Sequence, residues 1–222
     1  SQKYPVKEPF VELLKGSLAT FVNAMTYPDK TLYPVASQNV QDFYNLIDVY
    51  MDAVLHPILS EQTLMQEGWH YELNDPSKPL VYKGVVFNEM KGAYSSPDGV
   101  LETRVIESLF PKHIYGVDSG GDPRNIPDLT YDNFKNFWET YYHPSNSFIF
   151  FYGDDDPDQR LKLMEGYLKP FKKKKVKSVV PLAKPFKRAK KVEAPYDAGG
   201  EQDTEKKHYL TVNWKLPDTS DV

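Results

Sequence analysis

The stretch Tyr82-Lys83-Gly84-Val85-Val86-Phe87-Asn88-Glu89-Met90-Lys91-Gly92 sets one carboxylate, Glu89, among Val85, Val86, Phe87 and Met90. It reads as the start of a helix. An ionised carboxylate buried in such company costs several kcal/mol unless a partner or a metal neutralises it. A metal ligand is one solution. On the local pattern alone, the plainer alternative is a solvated Glu at a helix edge.

Outward from this stretch, helical and extended patterns alternate. Pro9 with Phe10, Leu13, Leu14 and Leu18 predicts a helix over 9–18. Residues 21–26 read as a strand, 27–30 as a turn and 31–36 as an antiparallel return strand. Pro34 would sit awkwardly in a central ladder, which puts this ribbon near a sheet edge. Phe43, Leu46, Ile47, Tyr50, Met51 and Val54 follow the 3.6 period and predict a helix over 39–55, ended by His56-Pro57. Further helices are predicted over 60–69, 85–94, 98–110, 130–142 and 158–168, with Thr130 as an N-cap. Residues 146–152 read as a buried strand, and 208–216 alternate as a strand with one buried face. The Gly199-Gly200 step reads as a loop.

The chain has 222 residues, is 40% hydrophobic and 26% charged, and carries no cysteine. That composition suits a soluble globular protein with a sizeable core and excludes disulfides and cysteine-held zinc. No apolar run approaches the ~20 residues of a membrane helix. The start, Ser1-Gln2-Lys3-Tyr4-Pro5, has neither an initiator Met nor an apolar signal core, so it reads as a processed or an internal terminus. The net charge of −4 hides an asymmetry: ten of the 27 basic residues lie between Lys172 and Lys191, where no acid occurs. The rest of the chain sets 17 basic against 31 acidic residues, a net −14. The basic tract, with Pro181 and Pro185, reads as a connector or exposed strand. A nucleic-acid patch is the alternative, but aromatic interleaving is sparse and no binding motif surrounds it. A negative body concentrates cationic ligands, basic peptides among them.

Asp154, Asp156, Asp158 and Glu165 occupy positions 1, 3, 5 and 12 of a calcium loop, but Gln159 stands where the sharp turn wants Gly. A solvated acidic turn capping the next helix is the simpler reading. His56, His70, His113, His143 and His208 form no site by spacing, and no H-E-x-x-H, H-x-x-E-H, G-x-S-x-G or phosphate loop occurs. The residues by themselves support a soluble α+β fold without a complete active site.

Separated blocks carry the reading further: residues 3–10, Asn23-Ala24-Met25-Thr26-Tyr27-Pro28-Asp29, Tyr33-Pro34-Val35, Asp42-Phe43-Tyr44-Asn45-Leu46, Gln66-Glu67-Gly68-Trp69-His70-Tyr71-Glu72, the stretch from Gly84 to Gly92, and Tyr152-Gly153-Asp154-Asp155-Asp156-Pro157. Over nearly its whole length the chain resembles the presequence protease branch of the pitrilysin/insulysin metallopeptidases. The resemblance implies a truncated pitrilysin-like metallopeptidase domain: α+β, with a mixed, largely antiparallel sheet packed against helices. It implies a zinc site in which an H-x-x-E-H helix supplies two His ligands and a Glu general base, with a further Glu downstream as third ligand. That third ligand falls on Glu89. The motif itself would end before Ser1, so the chain looks like an internal fragment with one of three protein ligands and no catalytic general base. The resemblance also implies that the edge strand Asn23, Ala24, Met25 and Thr26 pairs with substrate backbone.

On this reading residues 1–171 are the N-terminal metallopeptidase domain, 172–193 a basic linker and 194–222 the opening of a second, similar domain. The expected partners are a basic, unstructured peptide such as a cleaved targeting presequence and the remainder of the same polypeptide, with no nucleic acid and no membrane. The resemblance implies the mitochondrial matrix or plastid stroma in a eukaryote, and a soluble bacterial compartment otherwise. A non-catalytic peptide-binding or scaffold homologue is the competing reading.

Overall fold

Asn39 starts the longest helix. Its side chain accepts the Asp42 N–H at 2.9 Å, satisfying one of the orphan donors of the first turn. In the computed structural model, which describes residues 1–5, 12, 15–198 and 205–216, this helix is α1, Val40–Leu55. His56 caps its C-terminus just before Pro57, as expected. The helix expected over 9–18 lies mainly outside the described residues, as do Gly199 and Gly200.

The chain divides into two units. The first comprises Ser1–Met25, Thr31–Glu61 and Thr130–Val179. Here β1 (Ala19–Val22) pairs antiparallel with β4 (Val35–Ser37), with an irregular register between Ala19 and Phe21. The strands β2 (Met25–Thr26) and β3 (Thr31–Leu32) form a short hairpin between them, and Tyr33-Pro34 separates β3 from β4. The core of this unit gathers Tyr44 and Ile47 of α1 and Met164 of a later helix, with Phe43, Met51, Phe151, Leu163 and Leu168 around them. Leu46 is fully buried, a contribution of about 1.5–3 kcal/mol for one such side chain. Asp52, also buried, accepts from the backbone N–H of Lys3 at 2.9 Å and holds the N-terminal segment against α1.

The second unit comprises Thr26–Lys30, Gln62–Leu129 and Val180–Val222. Helix α2 (Glu61–Thr63) runs into a π-helical turn, Leu64–Gly68. Strands β5 (His70–Glu72) and β6 (Val81–Lys83) pair antiparallel, with Tyr71 opposite Tyr82. Gly84 then turns the chain into α3 (Val85–Ala93), followed by α4 (Pro97–Leu109) under a Ser96 cap. Phe87, Met90 and Ile126 form the core, backed by Trp69 and Tyr94. Helices α5 (Tyr131–Tyr141) and α6 (Pro157–Leu168) belong to the first unit. Thr130 and Asn133 close a reciprocal capping box on α5, and Asp156 caps α6 through the Asp158 N–H at 2.9 Å. The architecture is α+β, as expected, with the strands among the described residues in three two-stranded sheets.

The strands expected over 21–26 and 31–36 are each interrupted, at Asn23-Ala24 and at Tyr33-Pro34, and two further strand expectations fail outright. Residues 147–152 form no strand, and Phe148, Phe150 and Tyr152 are 90%, 74% and 89% exposed. Only Phe151 packs inward, edge-on to Phe43 at 6.4 Å. A strand apolar on both faces needs a layer on each side, and among the described residues nothing covers the outer one. Residues 207–216 are likewise without strand, and the set expected to be buried (Leu210, Val212, Trp214, Leu216) is exposed. Alternation specifies which face wants burial, but a ladder partner has to supply it. The basic tract is without helix or strand, consistent with a connector.

Candidate functional site

Gly84 builds the approach to Glu89. Its φ of 144° lies where L side chains rarely go, and a Cβ there would stand 2.1 Å from the Gly68 carbonyl oxygen. Only glycine lets β6 pass so close to the π turn before α3 begins. Phe87 and Met90 then anchor α3 to Ile126, and Gly120 lies against the Met90 sulfur. These anchors fix the opposite face of the helix. Val85 and Val86 are 55% and 37% exposed, and Glu89, Gly92 and Ala93 are exposed beside them.

This corrects the burial argument for Glu89. The carboxylate stands on the solvent face of α3, next to exposed valines, so no desolvation penalty calls for a metal here. Among the described residues no group of three or more His, Asp or Glu could hold a metal ion. Glu89 shares its exposure with Glu102 on α4, and neither carboxylate has an ion pair or hydrogen bond among the described residues. Glu107, by contrast, is ion-paired with Arg104 at 2.8 Å.

The second predicted set lies on the ribbon before α1. Asn23, Ala24 and Thr26 are exposed, and Met25 is half-buried. The Asn23 N–H donates to the Pro34 carbonyl at 3.2 Å, and the Asn23 carbonyl accepts from the Tyr50 hydroxyl at 3.4 Å. The Ala24 N–H donates to the Asn23 side-chain oxygen at 2.8 Å, a local bond that another acceptor could replace. Asn23 to Met25 belong to the first unit, and Thr26 and Glu89 to the second.

Two polar constellations were not anticipated. In the first unit, Arg160 pairs with Asp155, and Tyr44 donates to the same carboxylate at 2.9 Å. Chiefly through the Arg160 hydrogen bonds, the Asp155 carboxyl is held below the usual carboxylate range. The same unit buries the Tyr33–Tyr142 hydroxyl pair at 2.8 Å, and burial pushes the Tyr33 phenol far up. In the second unit, His113 Nε2 lies 2.7 Å from the Pro181 carbonyl, and Tyr115 donates to Asp29 at 2.8 Å. Two further histidines mark segment ends: His143 accepts from the Ser145 N–H, and His56 ends α1 and stacks on Phe171.

Residues 128–222 match the family model described as "Peptidase M16 inactive domain". The chain is 57% identical, over 97% of its length, to presequence protease 1, chloroplastic/mitochondrial, of Arabidopsis thaliana. It is 50% identical over its full length to the protein HypA of Clostridium perfringens, and 42% identical to the mitochondrial presequence protease of Xenopus laevis. Residues 128–222 are thus similar to an M16 peptidase domain, and the chain as a whole is similar to presequence proteases. It spans 20%, 23% and 22% of those three relatives, about a fifth of their length. No helix among the described residues is long and apolar enough to cross a membrane.

Proposed function

We propose that the parent protein of this chain is a zinc metalloendopeptidase that degrades short, unstructured, basic peptides such as cleaved targeting presequences. The 57% identity to a plant presequence protease, over 97% of the chain, supports the reading most directly. An organelle that imports presequence-bearing proteins, mitochondrion or plastid, follows for a eukaryotic parent. Residues 1–171 act as the metallopeptidase domain, 172–193 as linker and 194–222 as the opening of a second, similar domain.

Glu89 would supply one oxygen ligand to zinc. Its exposed carboxylate, without a partner among the described residues, fits that role, since it remains open to coordination from outside this chain. A zinc ion held there and by ligands elsewhere in the parent supplies Lewis acidity toward water and the scissile carbonyl. The chain's own residues bind and orient. Along the exposed Asn23, Ala24 and Thr26, the Ala24 N–H, held among the described residues only by the Asn23 side chain, is a donor that a peptide main chain could take up, a sequence-tolerant mode of recognition. The negative body favours basic substrates.

The matched family description, an inactive domain, favours a second reading in which this region binds peptide without cutting it. The two readings part in the full-length protein. Glu89→Gln keeps size and removes charge, so zinc content and turnover should fall together, turnover by more than the 10–100-fold typical of losing a ligand's supporting partner. Glu102→Gln should leave both within about twofold, because that carboxylate stays solvated. The isolated chain with added zinc should show no cleavage of a basic peptide. Stoichiometric zinc with near-normal turnover in Glu89→Gln, or chelator-sensitive cleavage by the isolated chain, would overturn the assignment.

A further inference from the structure

The turn between α4 and the following 3₁₀ helix (Ile114–Gly116) joins segments that are far apart in sequence. Three polar contacts do this within the second unit. The Tyr115 hydroxyl donates to Asp29 Oδ2 at 2.8 Å, across 86 positions. The Tyr115 backbone N–H donates to His113 Nδ1 at 3.2 Å. Because Nδ1 accepts, Nε2 carries the proton, and it donates to the Pro181 carbonyl at 2.7 Å, across 68 positions. Asp29 sits at the tip of the β2–β3 hairpin, whose first strand ends at Thr26, and the Tyr27 N–H closes that tip on the Lys30 carbonyl at 2.8 Å. Pro181 lies in the basic connector. A second fastening reinforces the connector side. The Lys215 ammonium lies 5.5 Å from the Phe110 ring and 4.7 Å from the Phe186 ring, and also donates to the Lys184 carbonyl. The Tyr115 ring is packed edge-on to Phe110 at 5.8 Å and lies 5.0 Å from His113, so the phenol is held in place from both sides.

We propose that Asp29, Tyr115 and His113 are positioning residues that tie the tip of the peptide-binding hairpin to the basic connector, so that docking of the connector sets the affinity for peptide. This rests on the reading that Asn23 to Thr26 pair with substrate. None of the three residues touches the reacting atoms. They act by limiting how far Thr26 and the hairpin tip can drift, which lowers the ordering cost a bound peptide has to meet.

The test uses the full-length enzyme, with kcat and KM measured on a basic peptide. Tyr115→Phe deletes the hydroxyl and keeps the ring contacts. One hydrogen bond of this kind corresponds to a two- to tenfold change, so KM should rise about that much with kcat unchanged. His113→Ala should act in the same direction. Asp29→Asn retains an acceptor oxygen for the Tyr115 hydroxyl and should stay within about twofold of wild type. Amide exchange at Thr26, Tyr27, Asp29 and Lys30 should quicken in Tyr115→Phe and not in Asp29→Asn. Ala24→Pro, in the same assay, reports on the strand itself. If Ala24→Pro raises KM and Tyr115→Phe does not, the tie is overturned while the strand reading stands. If neither moves KM, the strand reading fails and the tie with it. If Tyr115→Phe lowers kcat in step with its melting temperature, the tyrosine is structural and the proposal is refuted.

Discussion

In the first unit three acidic side chains are held by partners within the unit. Asp52 holds the N-terminal segment, Asp48 pairs with Lys3, and Asp155 closes on Arg160 and Tyr44. In the second unit α3 turns its acid outward. Phe87 and Met90 hold one face of the helix, and Glu89 stands on the other beside exposed Val85 and Val86. Both units lie in the same polypeptide under the same solvent, so the difference is one of completion. A carboxylate satisfied within its own unit stabilises that unit. One left open on an anchored helix is available to something else, and it is where function is to be sought.

That contrast depends on α3 being held rigidly, and Gly84 is where to break it. Gly84→Ala forces a side chain into a conformation at φ 144° and against the Gly68 carbonyl. The cost should be roughly 3 kcal/mol or more, the largest effect of any single change considered for this chain. Urea denaturation of the chain measures it. In the full-length protein the same change should misplace Glu89 and lower zinc content. A variant as stable as wild type would show that β6 can reach α3 by another path.

The inward half of the comparison predicts an acid limb. Asp155 has a depressed pKa when folded, so its stabilising effect is present above the ordinary carboxylate range near pH 4 and is lost as pH falls through the folded value. Melting temperature plotted against pH should drop on the acid side for wild type, and the drop should be shallower in Asp155→Asn, which has no charge to lose. Asp155→Asn should also melt several degrees lower at neutral pH, where Arg160 is left without its counter-charge. Parallel curves for the two proteins would show that Asp155 does not set the acid limb.

The helices were legible because their signals are local. The 3.6 period in α1, the Asn39 and Thr130 caps and the His56-Pro57 stop all lie within the segments they organise. The strand signals at 146–152 and 208–216 were of another kind: they state a demand for cover that no ladder or layer among the described residues meets. The metal-ligand role of Glu89 rests on resemblance, and its exposure was not legible, since apolar neighbours at 85 and 86 look the same whether their face is covered or open. The His113–Pro181 and Tyr115–Asp29 contacts join residues 68 and 86 positions apart, and no local pattern in either partner announces them.

The smallest expected effect on stability sharpens the outward half. A Cβ on Gly92 meets nothing within 4 Å, and the residue lies in the last turn of α3 on the same open face as Glu89. Gly92→Ala should therefore stabilise the isolated chain by about 0.5 kcal/mol, part of the usual glycine penalty in a helix. If the open face is the working face, the full-length protein should respond in the opposite sense: a methyl group pressed against whatever meets α3 shifts Glu89, and displacement on the order of 1 Å near a reaction centre can cost about 100-fold in rate. Denaturation of the chain and turnover of the full-length protein, measured on the same substitution, separate the two contributions. A stabilised chain with slowed turnover fits an engaged face carrying the ligand. A stabilised chain with unchanged turnover would mean that this end of α3 stays in solvent throughout, and the contrast between the two units would then rest on Glu89 alone.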